Sequence, residues 1–187
     1  ANEVADILDV GYVSSLNEKT LEGDINEVIR ISEAFHEKKI AEIADIICKD
    51  DEINMILIAG PSSSGKTTFA QRLAVHLKVN GKRPISISVD DYFLDRDKTP
   101  LNENGEYDFE ALEAINLKAF NEDLVKLLEG EIIELPRYNF LTGKSEKSGR
   151  KIKVDKDHPI IVEGIHGLNP KLASYIPEKN KFKDRKS

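Results

Sequence analysis

The sequence predicts an α/β fold: a mostly parallel sheet covered by helices, with a small antiparallel hairpin beside it and a helical N-terminal segment. Three observations predict it. Four consecutive apolar residues, Ile56 to Ala59, run into a glycine-rich turn and then into a helical stripe. A second, alternating run opens at Pro84, so strand, helix and strand fall within the length of one βαβ unit. A third run, Ile160 to Val162, is wholly apolar and closes in Glu163, as a strand covered on both faces would.

The composition sets the frame. At 187 residues the chain can form one core plus an extra segment. A formal charge of −7 argues against a nucleic-acid footprint for the core and against a membrane surface. No run is long enough to span a bilayer and no signal-peptide pattern opens the chain, so the expected location is cytoplasmic. The single Cys48, in the apolar run IADIIC, allows no intramolecular disulfide and reads as a buried, inert thiol.

In chain order, residues 1–50 read as helical. Ser15 with Glu18, and Asp24 with Glu27, have capping-box spacing, and Gly23 between them can close a first short helix. Apolar positions from Val28 to Ile47 keep a roughly helical period, in one amphipathic helix or a broken pair, although Val28 to Ile31 also suits a short strand. His36 has no histidine or cysteine four residues away and reads as solvated or packed rather than as a metal ligand. After the charged break at 49–52, the first core strand is expected over Ile53 to Ala59.

Gly60, Gly65, Lys66 and Thr67 then stand at the spacing G-x-x-x-x-G-K-[ST] of the phosphate-binding P-loop. A buried strand delivers such a loop, glycines let its N–H groups turn toward phosphates, and the following helix adds the positive end of its dipole. Backbone N–H groups across Ser62, Ser63 and Ser64 to Thr67 are therefore expected to cradle a nucleoside triphosphate. Lys66 supplies a point charge for the β- and γ-phosphates, the Thr67 hydroxyl is placed for Mg2+, and Thr68 is assigned to the same nucleotide site. The helix predicted over Lys66 to Val79 carries Phe69, Leu73, Ala74 and Leu77 on one stripe, and Gly81 stops it.

The second strand alternates Ile85, Ile87 and Val89 with serines and ends in Asp90 and Asp91. Ligands of open α/β sheets sit at the carboxyl ends of strands, so a carboxylate there can take a proton from an attacking hydroxyl or help to hold a metal. Residues 94–106 are polar and read as a loop that could form an acceptor wall. Asn116 caps a helix with Leu117, Phe120, Leu124 and Leu127 on one side, closed by Gly130. Ile132 to Leu135 is extended and Pro136 breaks it; Tyr138 to Leu141 and Lys151 to Val154 then flank a turn, which predicts the hairpin. Glu163, closing the third apolar strand, suits a Walker-B-like carboxylate near Mg2+. Asn169 and Pro170 are expected to start a short helix to about Tyr175, and the stretch NKFK to begin another strand.

Taken together, GPSSSGKT at 60–67, VDDYF at 89–93, YDFEAL at 107–112, LPRYNF at 135–140 and IIVEGIHGLNP at 160–170 resemble the uridine kinase family and its grouping with phosphoribulokinase. Among its members the chain looks most like bacterial uridine kinase-like proteins whose N-terminal region is related to threonyl-tRNA synthetase. That second likeness rests on the stretch SEAFHEKKIAEIADII alone. The resemblance implies a P-loop kinase that uses ATP and Mg2+ and phosphorylates a hydroxyl of a uridine- or cytidine-like nucleoside or a related pentose. It makes Asp90 the catalytic carboxylate, with Lys66 beside it. It puts Tyr92 and Phe93 in the acceptor pocket, Glu110 on the ribose hydroxyls, Tyr138 and Phe140 near the base with Arg137 on the same substrate side, and Glu163 with Thr67 at the metal.

The chain departs from the family pattern at two points. Where the family has a base-contacting histidine it reads Leu141, Thr142 and Gly143, and the arginine-bearing lid and adenine-contacting segment would fall beyond residue 187. Residues 1–50 are thus expected to be the end of a larger appended domain, and 51–187 a kinase core cut short at its C-terminus. The expected partner is a small-molecule acceptor, with self-association left open. Two other readings stand beside this one: an ATP-binding regulatory module without small-molecule kinase activity, and a phosphoribulokinase-like sugar kinase.

Overall fold

The computed structural model describes residues 25–61, 65–155 and 157–185, which leaves Ser15, Glu18, Gly23 and Asp24 outside the described residues. The chain divides into two compact units, 1–43 and 44–187. In the first, the described residues belong to helix α1, Ile25–Lys49, so the Val28 to Ile31 stretch is helical and not a strand. An i,i+4 pair of Lys38 with Glu42 at 4.0 Å and the Lys39 ammonium 5.2 Å from the Phe35 ring centroid support its exposed turns.

The second unit is built on a four-stranded sheet. Its strands are β1 (Met55–Ala59), β2 (Ile85–Ser88), β5 (Ile160–Gly164) and β6 (Lys181–Arg185), and a separate antiparallel pair joins β3 (Ile133–Asn139) to β4 (Lys144–Ile152). The sheet order is β2-β5-β1-β6, and every pair is parallel. Parallel neighbours need crossovers, and helix α2, Lys66–Val79, makes the first of them. All five residues of β1 are buried, and the run MILIA is apolar because both its faces are covered.

One face of the sheet, with Met55, Leu57, Ile87, Ile160 and Val162, joins a core with Phe120, Leu124 and Leu127 of helix α3, Leu117–Leu128. On the other face Ile56, Ile58 and Ile161 are buried, and α2, which packs on β1 and β5, buries Phe69, Ala70, Leu73 and Leu77. Asn116 caps α3 as its spacing predicts, its side chain accepting from the Ala119 N–H at 3.1 Å, and Gly130 follows with φ 80°. Asn121, 2% exposed, donates to the Leu117 and Leu172 carbonyls at 2.8 and 2.9 Å and accepts from the Tyr175 N–H at 3.1 Å. A buried polar side chain thereby ties α3 to the segment after β5.

Three expectations need correction. β2 stops at Ser88, and Val89–Tyr92 is a 3-10 turn in which the Ser88 hydroxyl accepts from the Asp90 N–H at 3.3 Å. β3 runs through Pro136 with a register shift between Glu134 and Pro136, and β4 starts at Lys144, inside the stretch expected to be a turn. β4 is exposed along almost its whole length, so the ladder to β3 makes it a strand and its own hydropathy pattern does not. Residues 170–175 form successive turns in place of the short helix expected from Asn169 and Pro170.

Candidate active site

The parallel register brings three predicted positions to one edge of the sheet. Glu163 lies level with Ile58 on β1 and with Ser88 on β2, so the loop after β1, the 3-10 turn after β2 and the end of β5 share the carboxyl edge. Close approach makes this edge tight. A Cβ on Gly164 would meet the Val89 Cβ at 2.8 Å, and one on Gly167 would meet the Ile58 carbonyl oxygen at 2.7 Å. Glycine at both places presses the turn after β5 against its neighbours.

On the nucleotide side, Gly60 is buried at the end of β1, while Ser62, Ser63 and Ser64 lie outside the described residues. Gly65 takes φ 77° at the N-cap of α2, a left-handed conformation that side chains disfavour. Lys66 follows, 9% exposed, and donates through Nζ to the Pro61 carbonyl at 2.8 Å. Thr67 and Thr68 are exposed in the first turn of α2. A positive helix end, a buried ammonium and two exposed hydroxyls make a fitting receptor for phosphates.

On the acceptor side, the Asp90 carboxyl opens to the solvent beside that loop. Partial desolvation raises its pKa above the ordinary carboxylate value, and the Lys66 ammonium pulls it back down. The Asp91 carboxyl is also raised, by desolvation and by the Asp90 charge, and is lowered by Arg137 and Arg150. Two guanidinium groups of the hairpin thus act on Asp91.

Tyr92 does not join Asp90. The 3-10 turn carries its ring into the core, 2% exposed, at 5.0 Å and edge-on to Phe120, and its hydroxyl donates to Asp123 Oδ2 at 3.1 Å. Burial and the Asp123 charge push the phenol up, and burial raises Asp123 as well. Tyr92 borders a cavity of about 350 Å3 with Asp123, Glu134, Pro136, Ser145 and Glu146. Its expected place in the acceptor pocket is therefore corrected: it is a core residue beneath the turn that carries Asp90.

Phe93 does face the other predicted aromatics. Its ring centroid lies 5.5 Å from Tyr138 and 6.2 Å from Phe140, and Tyr138 and Phe140 are 4.9 Å apart. Phe109, which the sequence reading passed over, completes the box at 5.1 Å from Phe93 and 5.8 Å from Tyr138. Its signal was present in YDFEAL, directly before Glu110. The Tyr138 hydroxyl is buried with no hydrogen-bond partner among the described residues. Glu110 is exposed beside this box, and its carbonyl accepts from His166 Nε2 at 2.8 Å. Arg137 is exposed on β3 opposite Glu146.

The residues present also fit a divalent cation. Glu163 Oε2 is buried with no hydrogen-bond partner among the described residues, a costly state for a carboxylate oxygen unless a cation or its water meets it. No group of three His, Cys, Asp or Glu among the described residues makes a protein-only cage. Mg2+ needs none, since it usually takes one or two carboxylates with phosphate oxygens and water. No helix among the described residues is long and apolar enough to cross a membrane.

The sequence model described as the Phosphoribulokinase / Uridine kinase family matches residues 55–176. The chain is 32% identical over 111 residues to the uridine kinase of Lactobacillus helveticus, covering 59% of this chain and 51% of that protein. It is 30% identical over 130 residues to the uridine kinase of Leuconostoc citreum, covering 70% of this chain and 61% of that one. It therefore spans about half the length of the curated relatives it matches. A solved structure from Bacillus stearothermophilus, described as a possible uridine kinase, matches with a TM-score of 0.56 and 21% identity over 79% of this chain and 80% of that chain. At that identity the likeness shows the fold, an α/β fold shared with a P-loop kinase.

Proposed function

Because the chain belongs to the phosphoribulokinase / uridine kinase family, we propose that it transfers the γ-phosphoryl group of ATP to a hydroxyl of a nucleoside or related pentose. The observation that carries this reading is the shared carboxyl edge of the sheet, where the loop leading to Lys66, the 3-10 turn with Asp90 and the end of β5 with Glu163 come together, and where Lys66 acts on the Asp90 carboxyl. Lys66 and the loop N–H groups hold the phosphates. Asp90 orients the acceptor hydroxyl and takes its proton as the oxygen bonds to the γ-phosphorus and the bond to ADP breaks. Glu163 and Thr67 would hold Mg2+, directly or through water, which supplies charge neutralisation at the β- and γ-oxygens. Most of the work is positioning, since the transferred group needs little covalent help.

A second reading is favoured by one observation. Arg137 and Arg150 act on Asp91, and two guanidinium groups beside the acceptor suit a substrate that already carries an anionic group. The phosphoribulokinase-like branch would use them so. A screen for ADP release with uridine, cytidine, free pentoses and pentose phosphates separates the two readings. Release with none of them would leave the ATP-binding regulatory module. We also propose, from the sequence likeness of the stretch at 32–47 within helix α1, that the N-terminal segment is the end of an appended domain like that of threonyl-tRNA synthetase. A cytoplasmic location is part of the same proposal.

The phosphate site has its own test. Lys66 is the basic residue of the loop, and Asp90, Asp91 and Glu163 all end on the same edge. A charge-assisted hydrogen bond contributes roughly 1.5–3 kcal/mol, so Lys66→Ala is expected to weaken ATP binding by about 10- to 150-fold without unfolding the chain. Calorimetry in matched Mg2+ reads this directly, and equal affinities would take the loop out of the nucleotide site.

A further inference from the structure

Two members of the aromatic box lie on segments outside the parallel sheet. Phe109 sits in the loop after the isolated bridge Leu101–Tyr107, and Phe140 sits at the tip of a two-stranded hairpin, 58% exposed. β3 is anchored in the core by Ile133, Leu135 and Tyr138, whereas Phe140 and Leu141 at the tip are exposed, so the tip depends on contacts of its own. We infer that Arg96 and His166 are positioning residues, each latching one wall of the box through a hydrogen bond to a main-chain carbonyl at or beside its aromatic residue.

The Arg96 latch reaches the hairpin tip. Its Nη2 donates to the Phe140 carbonyl at 2.6 Å and its backbone N–H to the Gly143 carbonyl at 2.8 Å, while Asp95 Oδ1 accepts from the Ser145 N–H at 2.9 Å. Gly143 has φ 69°, and a Cβ there would lie 2.7 Å from Arg96 Nε. The guanidinium therefore lies against the tip in space that only a glycine leaves open. A Cβ at 143 would have to displace the Arg96 side chain, at a positive φ that side chains already disfavour.

The His166 latch reaches the opposite wall. A carbonyl oxygen only accepts, so Nε2 carries the proton and donates to Glu110, the residue after Phe109. His166 stands in the turn between Gly164 and Gly167, the two glycines whose lack of Cβ lets that turn press on Val89 and on the Ile58 backbone. An anchor in the turn directly after β5 thus holds the loop that carries Phe109. Both latches are side-chain donors on main-chain acceptors, so neither depends on the side chain of the residue whose carbonyl it holds.

The structural part stands on these contacts, and only its kinetic consequence rests on the kinase reading. In the full chain, hydrogen–deuterium exchange of the 108, 110 and 111 amides is expected to rise about 3- to 10-fold in His166→Ala, with the 142, 143 and 145 amides unchanged. Arg96→Ala should do the reverse by about 10-fold or more, with Arg96→Gln as a second variant should it fold poorly. His166→Gln, which keeps a donor, should restore most of the protection. With uridine as the probe acceptor, both alanine variants should raise the acceptor KM several-fold, with kcat and the ATP KM within about twofold. Unchanged exchange at the latched wall, exchange raised throughout β5, or an unchanged KM beside raised exchange would each overturn the inference. Absence of turnover in the wild type would count against the kinase reading, and the exchange pattern would still decide this one.

Discussion

Asp90→Asn is expected to bind ATP within a few-fold of the wild type and to lose turnover by on the order of 10²-fold or more, the range of general acid–base catalysis. Asparagine keeps the size and the hydrogen-bonding reach of the carboxylate but cannot take the acceptor's proton. The same variant should be no less stable than the wild type at neutral pH, and the reason is electrostatic. Desolvation raises the Asp90 carboxyl in the fold. An acid whose pKa is raised on folding carries no penalty below its unfolded value, and its cost grows as pH climbs through the interval up to its folded value. Above that interval the charged group is a full burden on the folded state, and the amide removes it. Rapid-quench assays with calorimetry, and thermal melts at pH 3.5 and 7, test the two halves. Unchanged turnover would take Asp90 out of the mechanism.

Phe120→Ala should cost about 3–5 kcal/mol, a large part of the roughly 5–15 kcal/mol that usually holds a domain together. The Phe120 ring is 0% exposed, on the buried face of α3, and meets Tyr92 edge-on at 5.0 Å. Its removal leaves a cavity where sheet, helix and 3-10 turn meet, and few neighbours can close it. Tyr92 then loses its support two residues from Asp90, so stability and turnover should fall together. Urea titration is expected to show a lower midpoint with an unchanged slope, and Phe120→Leu should recover most of the loss. A midpoint within error of the wild type would mean that this core does not set the stability of the unit.

Where the sequence carries its own punctuation, it was legible. Helix α2 spans Lys66–Val79 as its stripe predicts, α3 lies between its asparagine cap and Gly130, and β5 is the apolar run that ends in Glu163. Each is set by local periodicity and a local stop. Strand β4 was not legible, because KSEKSGRKI has no apolar alternation and is a strand only through its ladder to β3. The site follows the same division. Asp90, Lys66 and Glu163 could be placed because the carboxyl edge of a parallel sheet collects strand ends. The direction of Tyr92 could not, since a 3-10 turn instead of two more strand residues sends it to the core. The contacts of Arg96 with Phe140 and of His166 with Glu110 join residues 44 and 56 positions apart, and no spacing rule connects them.

The sheet order has a consequence for how the chain is made. β1 lies between β5 and β6, and its partners Ile160 and Lys181 follow Met55 by about a hundred residues or more. A ribosome adding roughly 5–20 residues per second would leave MILIA without its neighbours for about 5–20 seconds. During that time α2, made directly after it, is the first element able to shield its apolar side chains, and α3 follows before either sheet neighbour is made. The strand on which the nucleotide loop is mounted is thus the first of the sheet to be synthesised and must wait for the last, and a chaperone that binds short apolar stretches would find it at that stage.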